Sequence, residues 1–179
     1  MADRDLWRHA LPDSRAVNKA LYVEGFLQGF APLTALDAHA GGAIAPVLVA
    51  RGAAYLLYEE AQVGRLVARA RPVEVAVRLP GEARDRVYSA LAVNTSVLAS
   101  EVGEGIMRRA APHVHFAVAW SYDHERNEIW ASVRTTRPDV DLSALVPHIV
   151  GAEQAGGHAR AAGFTVAGAD VTRVLRPPP

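Results

Sequence analysis

The order of apolar and polar positions predicts a long helix in the first half of the chain. Across residues 47–70 the apolar positions recur at roughly helical spacing, and two glutamates and an arginine fall between them. This pattern predicts one amphipathic helix, and Pro72 is expected to end it because proline lacks an N–H donor. Residues 17–30 are expected to form a helical or irregular segment before it.

The second half carries shorter patterns that predict strands and helices in a compact unit. Apolar residues alternate with others, or cluster between turn residues, in segments of strand length. Ser100 and Asp141 are side chains suited to cap a helix, followed by apolar spacing up to about residues 110 and 150. The expected fold is α/β, more narrowly α+β, with packed helices on a mixed β-sheet whose strands span residues 73–79, 87–93, 115–122, 128–135 and 164–166.

Composition and charge narrow the class of ligand. The 179 residues are 50% hydrophobic, which suits one domain or one domain with an appendage. The chain has 19 basic and 19 acidic residues, and Lys19 is the only lysine. Long duplex nucleic acid needs a strongly basic footprint, so a short phosphorylated ligand held by local groups fits a net charge of zero better. The absence of cysteine excludes disulfides, thiolate catalysis and cysteine-ligated zinc.

No uninterrupted apolar run of about twenty residues occurs, so we expect no membrane partner. The first residues are charged and unlike a secretory signal, and a cytoplasmic location is therefore the expectation.

A glycine-rich stretch near the C-terminus is the first candidate binding element. Residues 156–164 contain Gly156, Gly157 and His158, followed by Arg160 and small alanines. Glycines allow a tight turn and a close approach to a ligand, and a helix starting here would direct free amides at a phosphate oxygen. The alternative is a turn between a helix and a strand in which His158 is merely hydrogen-bonded. Arg160 ranks below His158 because it is expected to point away.

Arg134 is the second candidate, at the end of a predicted strand with mostly apolar neighbours. A guanidinium there can place two N–H groups on one phosphate. Ser132 and Thr135 offer hydroxyl groups beside it, of which one is expected to face the ligand. The alternative is a surface arginine paired with an acid such as Asp139.

Other residues with suitable chemistry are expected to be structural. His113 and His115 have a spacing that can chelate a metal, but no third ligand accompanies them. Trp120 and Trp130 can stack on bases, yet aromatic residues in strands more often fill a core. Trp7 is expected to be exposed.

Three ordered segments resemble the DHH-associated (DHHA) domain, the substrate-binding half of DHH-superfamily phosphoesterases. Residues 156–164 resemble its GGH-x-x-AAG signature, although Ala155 shortens the family's glycine run, which implies a less close approach to a ligand. Residues 94–103 resemble its asparagine-rich strand end and the following Ser-Glu-hydrophobic-Gly helix start. Ser132-Val133-Arg134-Thr135, with residues 139–142 after it, resembles its S-hydrophobic-R-S strand and the next helix start.

The first fifteen residues resemble the end of a DHH catalytic domain, and Asp5, or Asp3, would be the last relic of its metal site. The chain lacks an Asp-His-His triplet, and the nearest imitation, residues 37–40, is expected to be a loop. The resemblance therefore divides the chain into a catalytic-domain remnant, a connector with the long helix, a DHHA-like substrate-binding domain and a disordered tail, at residues 1–36, 37–72, 73–176 and 177–179.

The resemblance implies the nucleotide- or oligonucleotide-binding portion of a metal-dependent hydrolase that is inactive alone. Mn or Mg would belong to the intact parent enzyme and not to this chain alone. The implied partners are a nucleotide or short single-stranded oligonucleotide, a separate DHH catalytic chain and, through the apolar connector, a second copy. The residues implied to hold the substrate are Ser132, Arg134, Gly156, Gly157 and His158.

Two alternatives stay open. One is a stand-alone, non-catalytic module for nucleotide or RNA binding or for assembly, since the same type of domain occurs at the end of alanyl-tRNA synthetases. The other is a degenerate remnant without a ligand.

Overall fold

The computed structural model describes residues 13–25 and 44–178, which fall into two compact units, Met1–Gln62 and Val63–Pro179. The first unit contains α1 (Ser14–Val23) and most of α2 (Ile44–Val67), whose last five residues belong to the second unit. The long predicted helix is thus confirmed, about three residues nearer the N-terminus. None of the helices in the described ranges has both the length and the apolar character that crossing a membrane requires.

Close packing and ion pairs join α1 to α2 within the first unit. A Cβ at Gly52 would lie 1.7 Å from the carbonyl oxygen of Ala16, so only glycine permits this approach. Lys19 pairs with Glu59, and an Arg51 Nη atom lies 2.8 Å from a Glu24 carboxylate oxygen.

The second unit is a six-stranded mixed sheet with helices on both faces, which confirms the expected α+β class. The strand order is β1-β2-β3-β4-β6-β5, and every neighbouring pair is antiparallel except β2 with β3. The strands are β1 Arg71–Val77, β2 Arg86–Asn94, β3 Phe116–Asp123, β4 Glu128–Arg134, β5 Gln154–His158 and β6 Ala161–Ala167. The helices are α3 Ala99–Met107, α4 Leu142–Leu145 and α5 Val171–Val174, with 3₁₀ turns at Val146–His148 and Gly168–Asp170.

Strand alternation divides the apolar residues of the sheet between two cores. One face packs against α4 and α5 and buries residues such as Phe116, Val118 and Val133. The other face, called the α3 face below, buries Ala117 and Ala119 against α3 and against the end of α2. Because successive strand residues point to opposite faces, Trp130, Ser132 and Arg134 of β4 belong to the α3 face.

The helix starts confirm one predicted cap and correct the other. Asp141 caps α4 as predicted, with its carboxylate accepting the N–H groups of Ser143 and Ala144 at 2.9 and 3.3 Å. The prediction that Ser100 caps α3 is wrong. Leu98 occupies the cap position in a left-handed conformation (φ 56°), and Ser100 lies inside the first turn.

The prediction for the glycine-rich stretch is also wrong, because residues Gln154–His158 form a strand and not a loop or a helix start. Gly156, Gly157 and His158 belong to β5, an exposed edge strand, and the turn that follows is Ala159–Arg160. The small residues at the start of β6 allow this pairing. Gly157 has φ 146°, and a Cβ on it would lie 2.4 Å from the Cα of Ala162.

Candidate ligand-binding site

The sheet register brings the predicted site residues onto one face. Arg134 is paired with Ala161, which is paired with His158, so these residues form one row across β4, β6 and β5. Directly paired residues share a face, and two strand spacings place the Arg134 and His158 Cα atoms roughly 10 Å apart. The next row is Ser132, Gly163 and Gly156.

Gly157 falls between these two rows and pairs with Ala162, whose side chain is buried in the opposite core. Its role is therefore in the backbone of β5. The other four predicted residues lie on the α3 face.

Arg134 makes its hydrogen bonds to neutral oxygens. Its Nη1 donates to Ser132 Oγ at 3.0 Å and to the Val133 carbonyl at 2.9 Å, and its Nη2 donates to Ser100 Oγ at 2.6 Å. Within residues 13–25 and 44–178, none of the ion pairs includes Arg134. The alternative pairing with Asp139 is wrong, because that carboxylate is held by Arg137 at 2.6 and 2.9 Å.

Partial burial governs the electrostatics of Arg134. Loss of water around the guanidinium lowers the pKa of Arg134 from its ordinary value, while the more distant carboxylates of Glu101 and Glu104 act in the opposite direction. An arginine nevertheless stays protonated at neutral pH. The α3 face therefore holds a half-buried positive charge that no carboxylate of the described residues contacts, which favours an incoming anion.

The close approach of α3 positions this guanidinium. A Cβ at Gly103 would lie 2.8 Å from Cγ and 3.1 Å from Cβ of Arg134, so the glycine leaves room for the arginine stem. Ser100, one turn earlier in α3, supplies the hydroxyl that accepts from Nη2. The left-handed Leu98 lies just before this turn, and such backbone strain in a non-glycine residue is concentrated at functional sites.

Gly156 leaves the middle of the site open. A Cβ there would meet no atom of residues 13–25 and 44–178 within 4 Å, and its φ is not in the left-handed region, so the described fold does not require glycine. Gly163, its neighbour in the row, is more confined, since a Cβ would lie 3.0 Å from the Ala131 carbonyl oxygen. Neither residue projects a side chain between Arg134 and His158.

A cleft of about 350 Å³ adjoins these rows. Trp130 borders it with 47% of its surface exposed, and the Arg126 guanidinium carbon lies 5.5 Å from its ring centroid. Thr165 lies opposite Trp130 on β6, and its buried Oγ1 has no hydrogen-bond partner in the described part of the chain. The residues lining the cleft are Thr95, Ser96, Ala99, Ala119, Ser121, Trp130, Ala131, Ser132, Gly163, Phe164 and Thr165.

The sequence did not predict Trp130 and Thr165 as residues of a ligand-binding site. The expectation that Trp130 fills a core is wrong, whereas Trp120 does pack against the core that contains Phe116, Val118 and Val133. A signal was present: the apolar residues Ile129, Ala131 and Val133 alternate with Trp130, which places the indole on the same face as Arg134.

Other candidates have structural roles. Thr135 is buried, donates to the His115 carbonyl at 2.7 Å and accepts the Arg137 N–H at 3.1 Å, so Ser132 is the hydroxyl that faces the site. His115 lies before β3, with Nδ1 3.3 Å from the Ser89 carbonyl oxygen and its ring edge-on to Tyr88. Arg160 lies exposed in the β5–β6 turn.

The described residues do not fit a metal centre. No group of three or more histidine, aspartate or glutamate side chains within residues 13–25 and 44–178 is arranged to hold a metal ion. Asp3, Asp5, Trp7 and residues 37–40 lie outside the described ranges.

Comparison with known proteins gives remote structural neighbours. No family model matches the chain, and none of the curated proteins matches it. A crystal structure of an uncharacterized protein from Helicobacter pylori G27 aligns at a TM-score of 0.35 and 15% identity, covering 52% of this chain and 23% of that one. The pGpG-specific phosphodiesterase PggH from Vibrio cholerae aligns at 0.45 and 14% identity, covering 80% of this chain and 47% of that one. The chain thus spans less than half the length of either structure.

Proposed function

We propose that this chain is the substrate-holding portion of a DHH-type phosphoesterase and binds the phosphate of a nucleotide or short oligonucleotide. The observation that carries the proposal is the half-buried guanidinium of Arg134, which has no carboxylate in contact within the described residues. The order of the sequence motifs supports the same reading. Intact activity would require a separate DHH catalytic chain, and this chain alone is expected to bind without hydrolysis.

The unused donors of Arg134 suit a phosphate. A guanidinium has five N–H donors, and three of the five are engaged by Ser132, Val133 and Ser100. The remaining two are the Nε–H and one hydrogen of Nη2, and neither has a hydrogen-bond partner within residues 13–25 and 44–178. Two N–H donors of one guanidinium can bind two oxygens of one phosphate group.

His158 and the small residues beside it complete the proposed surface. His158 is exposed at the edge strand and supplies a ring N–H from the same row. Between it and Arg134 the strand carries only Ala161, and the adjacent row carries Gly163 and Gly156. A phosphate can therefore contact the sheet surface between the two donors without displacing a large side chain.

Calorimetric titration with AMP, 3′-phosphoadenosine 5′-phosphate and a two- or three-nucleotide RNA tests the proposal. Arg134→Ala is expected to weaken binding at least about tenfold, the loss of one charge-assisted contact of ~1.4 kcal/mol or more. Arg78→Ala is the matched control, because it removes the same charge from an exposed arginine paired with Asp85. Added Mn is expected to leave the affinity unchanged. Equal binding by Arg134→Ala, or none by the wild-type chain, would contradict the proposal.

A further inference from the structure

The cleft beside Ser132 is chemically different from the row formed by Arg134, Ala161 and His158, which is called the charged row below. All of its lining residues in the described part of the chain are uncharged, and five of them carry hydroxyl groups: Thr95, Ser96, Ser121, Ser132 and Thr165. A cleft of this kind suits a neutral group with hydrogen-bonding edges, because a charge moved out of water would find no counterion there. Its volume of about 350 Å³ is at the small end of ligand clefts.

The aromatic wall of the cleft supplies a surface for stacking. Trp130 exposes 47% of its surface although it lies within a strand of the sheet. Its paired residue on β6 is Thr165, and the preceding row contains Gly163, so small side chains adjoin the indole on that side. The Arg126 guanidinium lies over one face of this indole, 5.5 Å from its ring centroid, so it is the other face that can accept the flat face of an aromatic ring.

A second, independent observation at this cleft is the hydroxyl of Thr165. Its Oγ1 is buried and lacks a partner in the described part of the chain, although buried hydroxyls are usually hydrogen-bonded. Rotation about one bond, χ1, redirects this hydroxyl. A ligand edge with donors and acceptors would satisfy it.

Ser132 connects the cleft to the charged row. It lines the cleft, and its Oγ accepts a hydrogen bond from Arg134. A ligand that fills both places has a neutral aromatic group adjacent to an anionic group. Nucleotides have this arrangement, whereas inorganic polyphosphate and sugar phosphates lack the aromatic group.

We propose that this cleft is a nucleobase subsite in which the base stacks on Trp130 and hydrogen-bonds to Thr165. The inference rests on the proposed phosphate site and adds the requirement for a base. It makes Trp130 and Thr165 the residues that select nucleotides over other phosphate esters.

Calorimetry with AMP, ribose 5-phosphate and adenosine tests this subsite. The wild-type chain is expected to bind AMP about tenfold more tightly than ribose 5-phosphate, and Trp130→Ala is expected to abolish that difference by weakening AMP alone. Trp130→Phe should retain most of the AMP affinity. Thr165→Val keeps the shape of the side chain and should weaken AMP severalfold without affecting ribose 5-phosphate.

Tyr122→Ala is the matched control. Tyr122 is also 47% exposed, but it is paired with Ile129, whose side chain is buried in the opposite core. This variant is expected to bind all three ligands like the wild type.

The outcomes separate the base subsite from the phosphate site. Loss of ribose 5-phosphate binding in Arg134→Ala supports the phosphate site, independently of the effect of Trp130→Ala on AMP or adenosine binding. Adenosine binding that falls in Trp130→Ala but not in Arg134→Ala supports the base subsite alone. Equal AMP affinity in Trp130→Ala and wild type, or no preference for AMP over ribose 5-phosphate, would overturn the base subsite, and failure of all three ligands to bind would overturn both.

Discussion

Gly156 and Gly157 are neighbours in β5, but a side chain would meet different surroundings at the two positions. The backbone requires glycine at position 157, where φ is 146° and a Cβ would lie 2.4 Å from the Ala162 Cα. A Cβ at position 156 would meet none of the described atoms within 4 Å, so packing in this part of the chain does not require glycine there. Under the proposed function, a ligand that passes over the strand would account for the missing side chain.

Alanine substitutions distinguish these two constraints. Gly157→Ala is expected to lower the free energy of unfolding by about 1–3 kcal/mol, because it combines backbone strain with a steric clash. Gly156→Ala should leave stability unchanged or raise it by up to ~1 kcal/mol, since glycine weakens a strand interior, while reducing affinity for AMP. Urea denaturation and calorimetry of both variants measure the two effects. A comparable loss of stability in Gly156→Ala would show that its role is structural.

The ion pair between Asp139 and Arg137 is expected to make the stability of the folded chain depend on pH in the acidic range. The hydrogen bonds from the Arg137 guanidinium lower the pKa of Asp139 from 3.8 to about 2. A carboxyl group whose pKa is lower in the folded chain stabilises it above about pH 4, and this contribution is lost as the pH falls through about 2. The carboxyl ¹³C shift of Asp139 should therefore titrate near pH 2.

Arg137→Ala is expected to move that titration midpoint upward, because it removes the main cause of the shift. In stability measurements, Asp139→Asn should show a weaker fall between pH 4 and 2 than the wild type. A midpoint near 3.8 in the wild-type chain would mean that the ion pair does not form in solution.

At the scale of elements, the contact between α3 and β4 determines where Arg134 can lie. Gly103→Ala introduces a methyl group 2.8 Å from the Arg134 Cγ, so the arginine stem must move. Its gain in helix propensity, up to ~1 kcal/mol, offsets part of the steric cost. We therefore expect a small change in stability and a clear loss of affinity for AMP.

Gly64→Ala in α2 is the control for helix propensity, because a Cβ there would meet none of the described atoms within 4 Å. This variant should raise the free energy of unfolding by about 0.5–1 kcal/mol and leave binding unchanged. Unchanged binding in Gly103→Ala would show that the position of Arg134 does not control affinity.

The predictable elements were those with apolar periodicity. The long helix and strands β1 to β4 follow the expected ranges within a few residues, because their apolar faces are buried. Strand β5 has no such signal: Gln154–His158 is exposed throughout and is held by backbone pairing with β6. Ser100 was misplaced for a related reason, since its hydroxyl has a tertiary partner, Arg134, that local sequence does not reveal.

At the level of the whole molecule, the site depends on the order of the strands in the sheet, which local sequence patterns do not reveal. Ser132, Arg134 and His158 were predicted from residue type and motif, and the order β4-β6-β5 places them on one face. Trp130 and Thr165 could not be predicted with them, because their shared cleft arises from the pairing of β4 with β6.

A second cleft, which also contains arginines, serves as a control for non-specific binding of anions. It has a volume of about 360 Å³, and Arg69 and Arg71 line it together with mainly apolar residues. Non-specific attraction of an anion to arginine would affect this cleft as much as the α3 face.

Amide chemical-shift mapping by ¹H–¹⁵N NMR during titration with AMP identifies the surface of the chain that the ligand contacts. We expect shifts at Ser132, Arg134, Gly156 and His158, including the Arg134 Nε–H signal, and none at the second cleft. Shifts confined to Arg69 and Arg71, or no shifts at all, would contradict the assignment of the α3 face as a phosphate-binding surface.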